Sequence, residues 1–229
     1  MEEFLTTITP NILFDLDGTL VDSAPSLCNA ANFILKQLNR PPIDLIRYKS
    51  FIGNGMLKQV EKLLVSTGGI PENDLEKYFK MFCRRYESNP LLSTTAYTGV
   101  VETLKELKSI PATLAICTQK AESPARAILS GLNLLDYFEG FAFGDSLPVL
   151  KPDPEMVFHA IYELRGRPLI YVGDSEVDAL TAMNANATFL LYKNGYRNKP
   201  VDELLCYAAF DCHQDIPKLV RQIMDDFHK

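Results

Sequence analysis

Asn11-Ile12-Leu13-Phe14-Asp15-Leu16-Asp17-Gly18-Thr19 passes from apolar to acidic within a few residues, and this transition sets the architecture. A short apolar run bounded by polar and turn-forming residues is the pattern of a buried strand. Alternate side chains of an extended segment share a face, so Asp15 and Asp17 are expected to point together while Leu16 turns into the core. Gly18 permits a sharp turn at the strand's carboxyl end, where open α/β sheets bind their ligands. Two carboxylates held together cost free energy unless a cation or a proton intervenes, so the pair points to chemistry.

Further along the chain, β-like runs recur at Ala112 to Thr118, Gly140 to Phe143, Pro168 to Gly173 and Ala187 to Tyr192, with helical patterns between them. Strands alternating with helices imply parallel pairing through right-handed crossovers, so the expected body is α/β, a doubly wound, mainly parallel sheet with a Rossmann-like core. Residues 20–90 break the rhythm. They contain no convincing strand and read as helices near 24–39, 55–66 and 73–87, with Met56, Val60, Leu63 and Leu64 forming an apolar stripe. The expected division is therefore a core of residues 1–19 and 91–229 with a helical domain, 20–90, inserted after the first strand.

Composition narrows the function. The 229-residue chain is 47% apolar, enough for a large core, and its net charge of -6 argues against non-specific binding to nucleic acid. Residues 20–90 hold 10 of the 23 basic but only 7 of the 29 acidic residues, so a mildly basic segment faces an acidic body. Five cysteines without a CxxC pair suit a reducing compartment. Met1-Glu2-Glu3-Phe4 lacks the basic flank and apolar stretch of a signal peptide, and no run approaches the roughly 20 apolar residues of a membrane span. A cytoplasmic protein that binds no membrane is expected.

Three further features fall at predicted strand ends. Thr118 closes Leu114-Ala115-Ile116-Cys117 and is followed by Gln119-Lys120; its hydroxyl can donate to a phosphate oxygen. Lys151 opens the rigid turn Lys151-Pro152-Asp153-Pro154. Asp174 and Asp178 follow the run Leu169 to Val172 and stand four apart at a helix start, where they can share a face. Taken singly, each also has a structural reading: a strand-end hydroxyl, a surface lysine, a helix-capping carboxylate. His159, His213 and His228 are scattered and are expected to be structural or superficial.

In this order the four features resemble the haloacid dehalogenase superfamily, and the resemblance covers nearly the whole chain. Asp17 followed by Gly-Thr is similar to its phosphate-processing branch. The helical insertion is similar to the cap of the subgroup that includes phosphoglycolate phosphatase and β-phosphoglucomutase. Val21-Asp22-Ser23-Ala24-Pro25, Phe51-Ile52-Gly53-Asn54-Gly55 and Asn194-Gly195-Tyr196 look like the phosphoglycolate phosphatase branch. Gln119 stands where that branch usually has Asn, and Asn186 where a helix-ending Gly is common.

The resemblance implies Asp15 as nucleophile, Asp17 as acid and then base, and Thr118 and Lys151 as catalytic holders of the phosphoryl oxygens, with Gln119 beside them. It implies a Mg²⁺ ion on Asp15, the main-chain carbonyl of Asp17 and Asp174, with Asp178 at or near it, and a cap loop of Gly53, Asn54 and Gly55 that meets the organic part of the substrate. A cation is needed on physical grounds too, because a carboxylate meeting a phosphate dianion at about 4 Å faces about 8 kcal/mol of repulsion at an effective dielectric of about 20. The expected partner is a small phosphorylated metabolite, 2-phosphoglycolate foremost, and the expected assembly is a monomer or homodimer. Sugar phosphates, pyrophosphate, nucleotides or a phosphomutase reaction are the alternatives, and a non-catalytic binding module, which would be expected to lose one of these acidic or basic positions, is the rival from another class.

Overall fold

Asn11–Phe14 forms β1 at the centre of a six-stranded parallel sheet, flanked by β4 (Thr113–Cys117) and β6 (Leu169–Gly173). The computed structural model describes residues 9–52, 55–162 and 167–227. Beyond β4 lies β5 (Gly140–Ala142), and beyond β6 lie β7 (Thr188–Tyr192) and β8 (Ala208–Phe210), giving the order β5-β4-β1-β6-β7-β8. Phe14 pairs with Ile116 on one side and Val172 on the other. The carboxyl ends of the three central strands therefore stand level. In such a sheet the crevice opens where the winding reverses, which here is around β1.

Period-two alternation assigns the strand residues to two apolar layers. Ile12, Phe14, Ile116 and Val172 pack with α5 (Val100–Lys108), α6 (Glu122–Gly131) and α9 (Ile216–Phe227). Leu13, Ala115, Cys117 and Tyr171 pack on the other face with α7 (Glu155–Ala160) and α8 (Glu176–Asn184). Because β1 is covered on both faces, it reads as a continuous apolar run.

The cap holds α1 (Ala24–Gln37), α2 (Leu45–Lys49), α3 (Gly55–Ser66) and α4 (Leu75–Glu87). Ile34, Leu35, Leu63, Leu64, Phe82 and Tyr86 form its own apolar cluster, and Tyr196 of the core joins them. Residues 20–90 are not free of strand, however. Val21–Asp22 is a short β2 that pairs antiparallel with β3 (Thr95–Ala96), so the two chain crossings between core and cap run side by side. Two residues carry no readable period, and the same brevity hid α2, which starts where the Asp44 carboxylate accepts from Arg47 N at 2.7 Å, and the three-residue β8. Among the described residues no helix is long and apolar enough to cross a membrane.

Leu63 is 0% exposed at the centre of the cap cluster. Leu63→Ala is expected to destabilise the protein by about 2–5 kcal/mol in urea unfolding. A loss under about 1 kcal/mol would show that the cap cluster adds little to the fold.

Candidate active site

Three strand ends place three functional side chains. Asp15 follows β1, Thr118 follows β4 and Asp174 follows β6. Asp15 N donates to Val172 O at 3.0 Å and Thr118 N to Ala142 O at 2.9 Å, which extends the ladder one residue and fixes both. The two aspartates are not on the strand itself, because β1 ends at Phe14. Beyond it the chain closes on itself: Leu20 N and Val21 N donate to Leu16 O, and Gly18 takes a φ of +87°. Asp15 and Asp17 still border one pocket.

They answer to different cations. Lys151 Nζ stands 3.1 Å from Asp15 Oδ1 and 2.7 Å from Asp178 Oδ1. Lys120 Nζ lies 2.9 and 2.8 Å from the two oxygens of Asp17, which also accepts from the Ser23 hydroxyl. Tyr86, from the cap, lays its ring 4.8 Å from the Lys120 ammonium. Lys120 and Ser23 are residues that sequence reasoning missed. The only signal was the position of Lys120 directly after Thr118-Gln119, and nothing in the pattern told a buried ammonium from a solvated one.

Asp174 is held from several sides. Thr19 Oγ1 donates to its Oδ1 at 2.8 Å and Tyr196 N to its Oδ2 at 2.6 Å. A Cβ on Gly18 or Gly195 would come within 2.5 Å of Asp174 side-chain atoms, so both positions demand glycine. Asp178 has another task. Its Oδ1 accepts from Lys151, while its Oδ2 accepts from Asp174 N, Ser175 N and the Ser175 hydroxyl, closing a capping box at the start of α8. Both its oxygens are committed, so Asp178 orients Lys151 and the Asp174 main chain.

The other expected residues divide. Thr118 is 1% exposed, and its hydroxyl oxygen accepts from Lys120 N at 3.2 Å, which leaves its proton free to be donated. Gln119 borders the pocket and its Nε2 donates to Lys151 O at 3.1 Å, tying two strand-end loops together. Gly55 also borders the pocket, at the start of α3 with φ +79°. Gly53, Asn54 and His228 lie outside the described residues. His159 is exposed, whereas His213 is 1% exposed with Nε2 2.7 Å from Thr19 O, bracing the turn after the paired aspartates.

The profile of the family described as haloacid dehalogenase-like hydrolase matches residues 12–192. The chain belongs to the haloacid dehalogenase-like hydrolases. It is 39% identical to the phosphoglycolate phosphatase of Rhodobacter capsulatus, an alignment covering 93% of this chain and 97% of that protein. It is 37% identical to the phosphoglycolate phosphatase of Nitrosospira multiformis, covering 92% and 95%. A crystal structure described as a predicted phosphoglycolate phosphatase from Haemophilus somnus superposes with a TM-score of 0.86 at 28% identity, covering 94% of this chain and 99% of that one. CbbY from Rhodobacter sphaeroides in complex with phosphate shares the fold, with a TM-score of 0.74 at 19% identity over 90% of this chain and 95% of its own. The chain is a phosphatase.

In this haloacid dehalogenase-like hydrolase a buried acidic cluster could hold a cation. Carboxylate oxygens of Asp15, Asp174 and Asp178 lie within 4.8 Å of one another, all buried. Lys151 alone among the described residues is ion-paired to this group, to Asp15 and Asp178. Burial pushes Asp15 up to about 7; Lys151 opposes this and the charges of Asp178 and Asp17 add to it. Burial, then Asp178 and Asp15, raise Asp174 well above the usual carboxylate range. Burial works against the charge on Lys151, but Asp15 and Asp178 outweigh it and raise its pKa. Hard oxygen donors with a surplus of negative charge fit a divalent cation. Among the described residues Asp15 Oδ2 accepts no hydrogen bond and Asp174 only two, so these two carboxylates have lone pairs to offer.

A carboxylate whose folded pKa lies above its unfolded one costs stability as pH rises through that interval, here from 3.8 to about 7. In metal-free protein the stability of wild type relative to Asp15→Asn should therefore fall by about 2 kcal/mol between pH 5 and 8 in urea unfolding. A divalent cation should suppress that fall by binding the folded state alone. A difference that stays flat in the metal-free protein, or a fall that the cation leaves unchanged, would contradict the assignment.

Proposed function

We propose that this phosphatase hydrolyses small phosphomonoesters, 2-phosphoglycolate foremost, with Mg²⁺ as its cation and an aspartyl phosphate as its intermediate. The observation that carries the reading is the division of labour between two aspartates in one pocket: Asp15 beside Lys151, Asp17 beside Lys120. A nucleophile and a proton carrier need different surroundings, and the two lysines provide them.

The phosphoryl group is received by Lys151 and the Thr118 hydroxyl, whose donors stand beside Asp15 before the substrate arrives. An Asp15 carboxylate oxygen attacks phosphorus, the bond from phosphorus to the ester oxygen breaks, and the leaving alkoxide takes a proton from Asp17. Asp17 then takes a proton from water, whose oxygen attacks the same phosphorus. The bond to Asp15 breaks, inorganic phosphate leaves and both aspartates are restored. Mg²⁺, when bound by Asp15 and Asp174, supplies positive charge against the repulsion between carboxylate and phosphate. Asp178 keeps Lys151 aimed at Asp15 throughout.

Support for 2-phosphoglycolate is the name shared by relatives that match the chain nearly end to end. Such a substrate agrees with a water-soluble protein working in the cytoplasm. Metal-dependent release of inorganic phosphate from a panel of phosphorylated metabolites tests the reading. The panel should place 2-phosphoglycolate first, and Asp15→Asn should lower its turnover at least about a thousandfold. No phosphate release from any ester with Mg²⁺ present would refute the proposal, as would phosphate retained in an isomerised product.

Asp17→Asn should slow alkyl esters by about a hundred- to ten-thousandfold. It should slow formation of the intermediate from p-nitrophenyl phosphate, whose leaving group needs little protonation, far less. Rapid-quench measurement of the first step with both esters checks the acid role of Asp17; equal losses would oppose it.

A further inference from the structure

Gln59 is a polar residue in an apolar stripe. It lies on α3 between Met56 and Leu63, at the three- and four-residue spacing where the helix turns a face to the interior. It is 5% exposed and borders the same pocket as Asp15, Asp17 and Lys151. A buried carboxamide must be satisfied, and half of this one is: the Tyr48 hydroxyl donates to Gln59 Oε1 at 2.8 Å.

That bond fixes the amide. Tyr48 is 0% exposed, and burial holds its pKa well above the usual phenol value, so it keeps its single proton. The Gln59 oxygen is the acceptor that proton meets, which turns the Nε2 end away from Tyr48. Nε2 carries two donors, and no acceptor meets them among the described residues. In the free enzyme water can do so, and a ligand oxygen would replace it.

The surrounding charges select the ligand. The ammonium groups that border the pocket, Lys120 and Lys151, are both committed to aspartates. A second polar group on the substrate therefore meets neutral donors on the cap side. Gly55 and Met56 bring the amino end of α3 to the pocket, and its first turn holds no acidic residue, so the helix end itself favours a negative group on the cap side, while Asp17, Asp174 and Glu176 border the pocket elsewhere.

We propose that Gln59, oriented by Tyr48, sets the substrate class by donating through Nε2 to an oxygen of the organic part of the ester, a carboxylate in the first instance. This inference rests on the phosphomonoesterase reading and names the residue that makes it selective.

The test compares 2-phosphoglycolate with ethyl phosphate, a similar ester without the carboxylate, as a ratio of kcat/KM values. Gln59→Leu should lower that ratio about ten- to hundredfold, chiefly by weakening the apparent binding of the carboxylated ester and so raising its KM. Gln59→Glu keeps the side-chain shape and the acceptor for Tyr48 but sets carboxylate against carboxylate. It should lower the ratio at least as far and shift preference toward phosphoethanolamine. Tyr48→Phe frees the amide to rotate and should lower the ratio severalfold. If Gln59→Leu fails to fold, the other two variants carry the test.

An unchanged ratio in Gln59→Glu and Tyr48→Phe overturns the inference, even if both esters slow together. Turnover of ethyl phosphate by the wild type in that case leaves the phosphatase reading standing. Wild-type protein that cleaves neither ester with Mg²⁺ present sinks both.

Discussion

A buried ammonium shared by two carboxylates organises this molecule's chemistry. Lys151 is 6% exposed, with Asp15 on one side and Asp178 on the other. Desolvating a lysine costs several kcal/mol and is tolerated where opposite charges and hydrogen bonds compensate. Here the compensation is built in depth. Asp178 is locked by Ser175 and the amino end of α8, and the Lys151 carbonyl is tied to Gln119. Loops after β4 and β6 and the segment before α7 are thus gathered around one positive charge, and Asp15 is presented against it.

The same site leaves its negative charge incompletely neutralised. Three buried carboxylates cluster, and two of them, Asp15 and Asp174, have pKa values raised by burial and by neighbouring carboxylates, Asp178 among them. A fold selected for stability alone would remove one of them; the surplus negative charge is what fits the pocket to a cation. Asp17 is kept out of this cluster. Its pairing with Lys120 and Ser23 gives it surroundings different from those of Asp15 although one residue divides them in sequence.

Much of this was legible in the chain. The apolar runs ending at Asp15, Thr118 and Asp174 became the central strands, because strands covered on both faces leave a dense hydrophobic signature. Helices α1, α3 and α4 were readable in the sequence, α3 from its apolar stripe. Elements of two to five residues, such as β2, α2 and β8, were not, because their existence depends on tertiary pairing and no period fits in so few residues. At the site, sequence order named the acidic residues and Lys151, but not the partners of each. Lys120 has no local mark of burial, and Gln59 was passed over within a stripe defined by its apolar neighbours. The bracing contacts of Asp178 were hidden for a related reason: its oxygens meet groups that a linear reading cannot bring together.

Tyr196 belongs to both bodies at once. Its amide grips Asp174, its ring is packed among the cap helices, and its hydroxyl donates to Asp22 at 2.6 Å while accepting from Ala24 N at 3.0 Å. The cap is thereby riveted to the Asp174 carboxylate by one rigid aromatic link rather than by a flexible tether. Leverage follows: a tilt of α1 is transmitted through the phenol to the peptide that steadies Asp174, so the stiffness of the catalytic floor is partly borrowed from its roof.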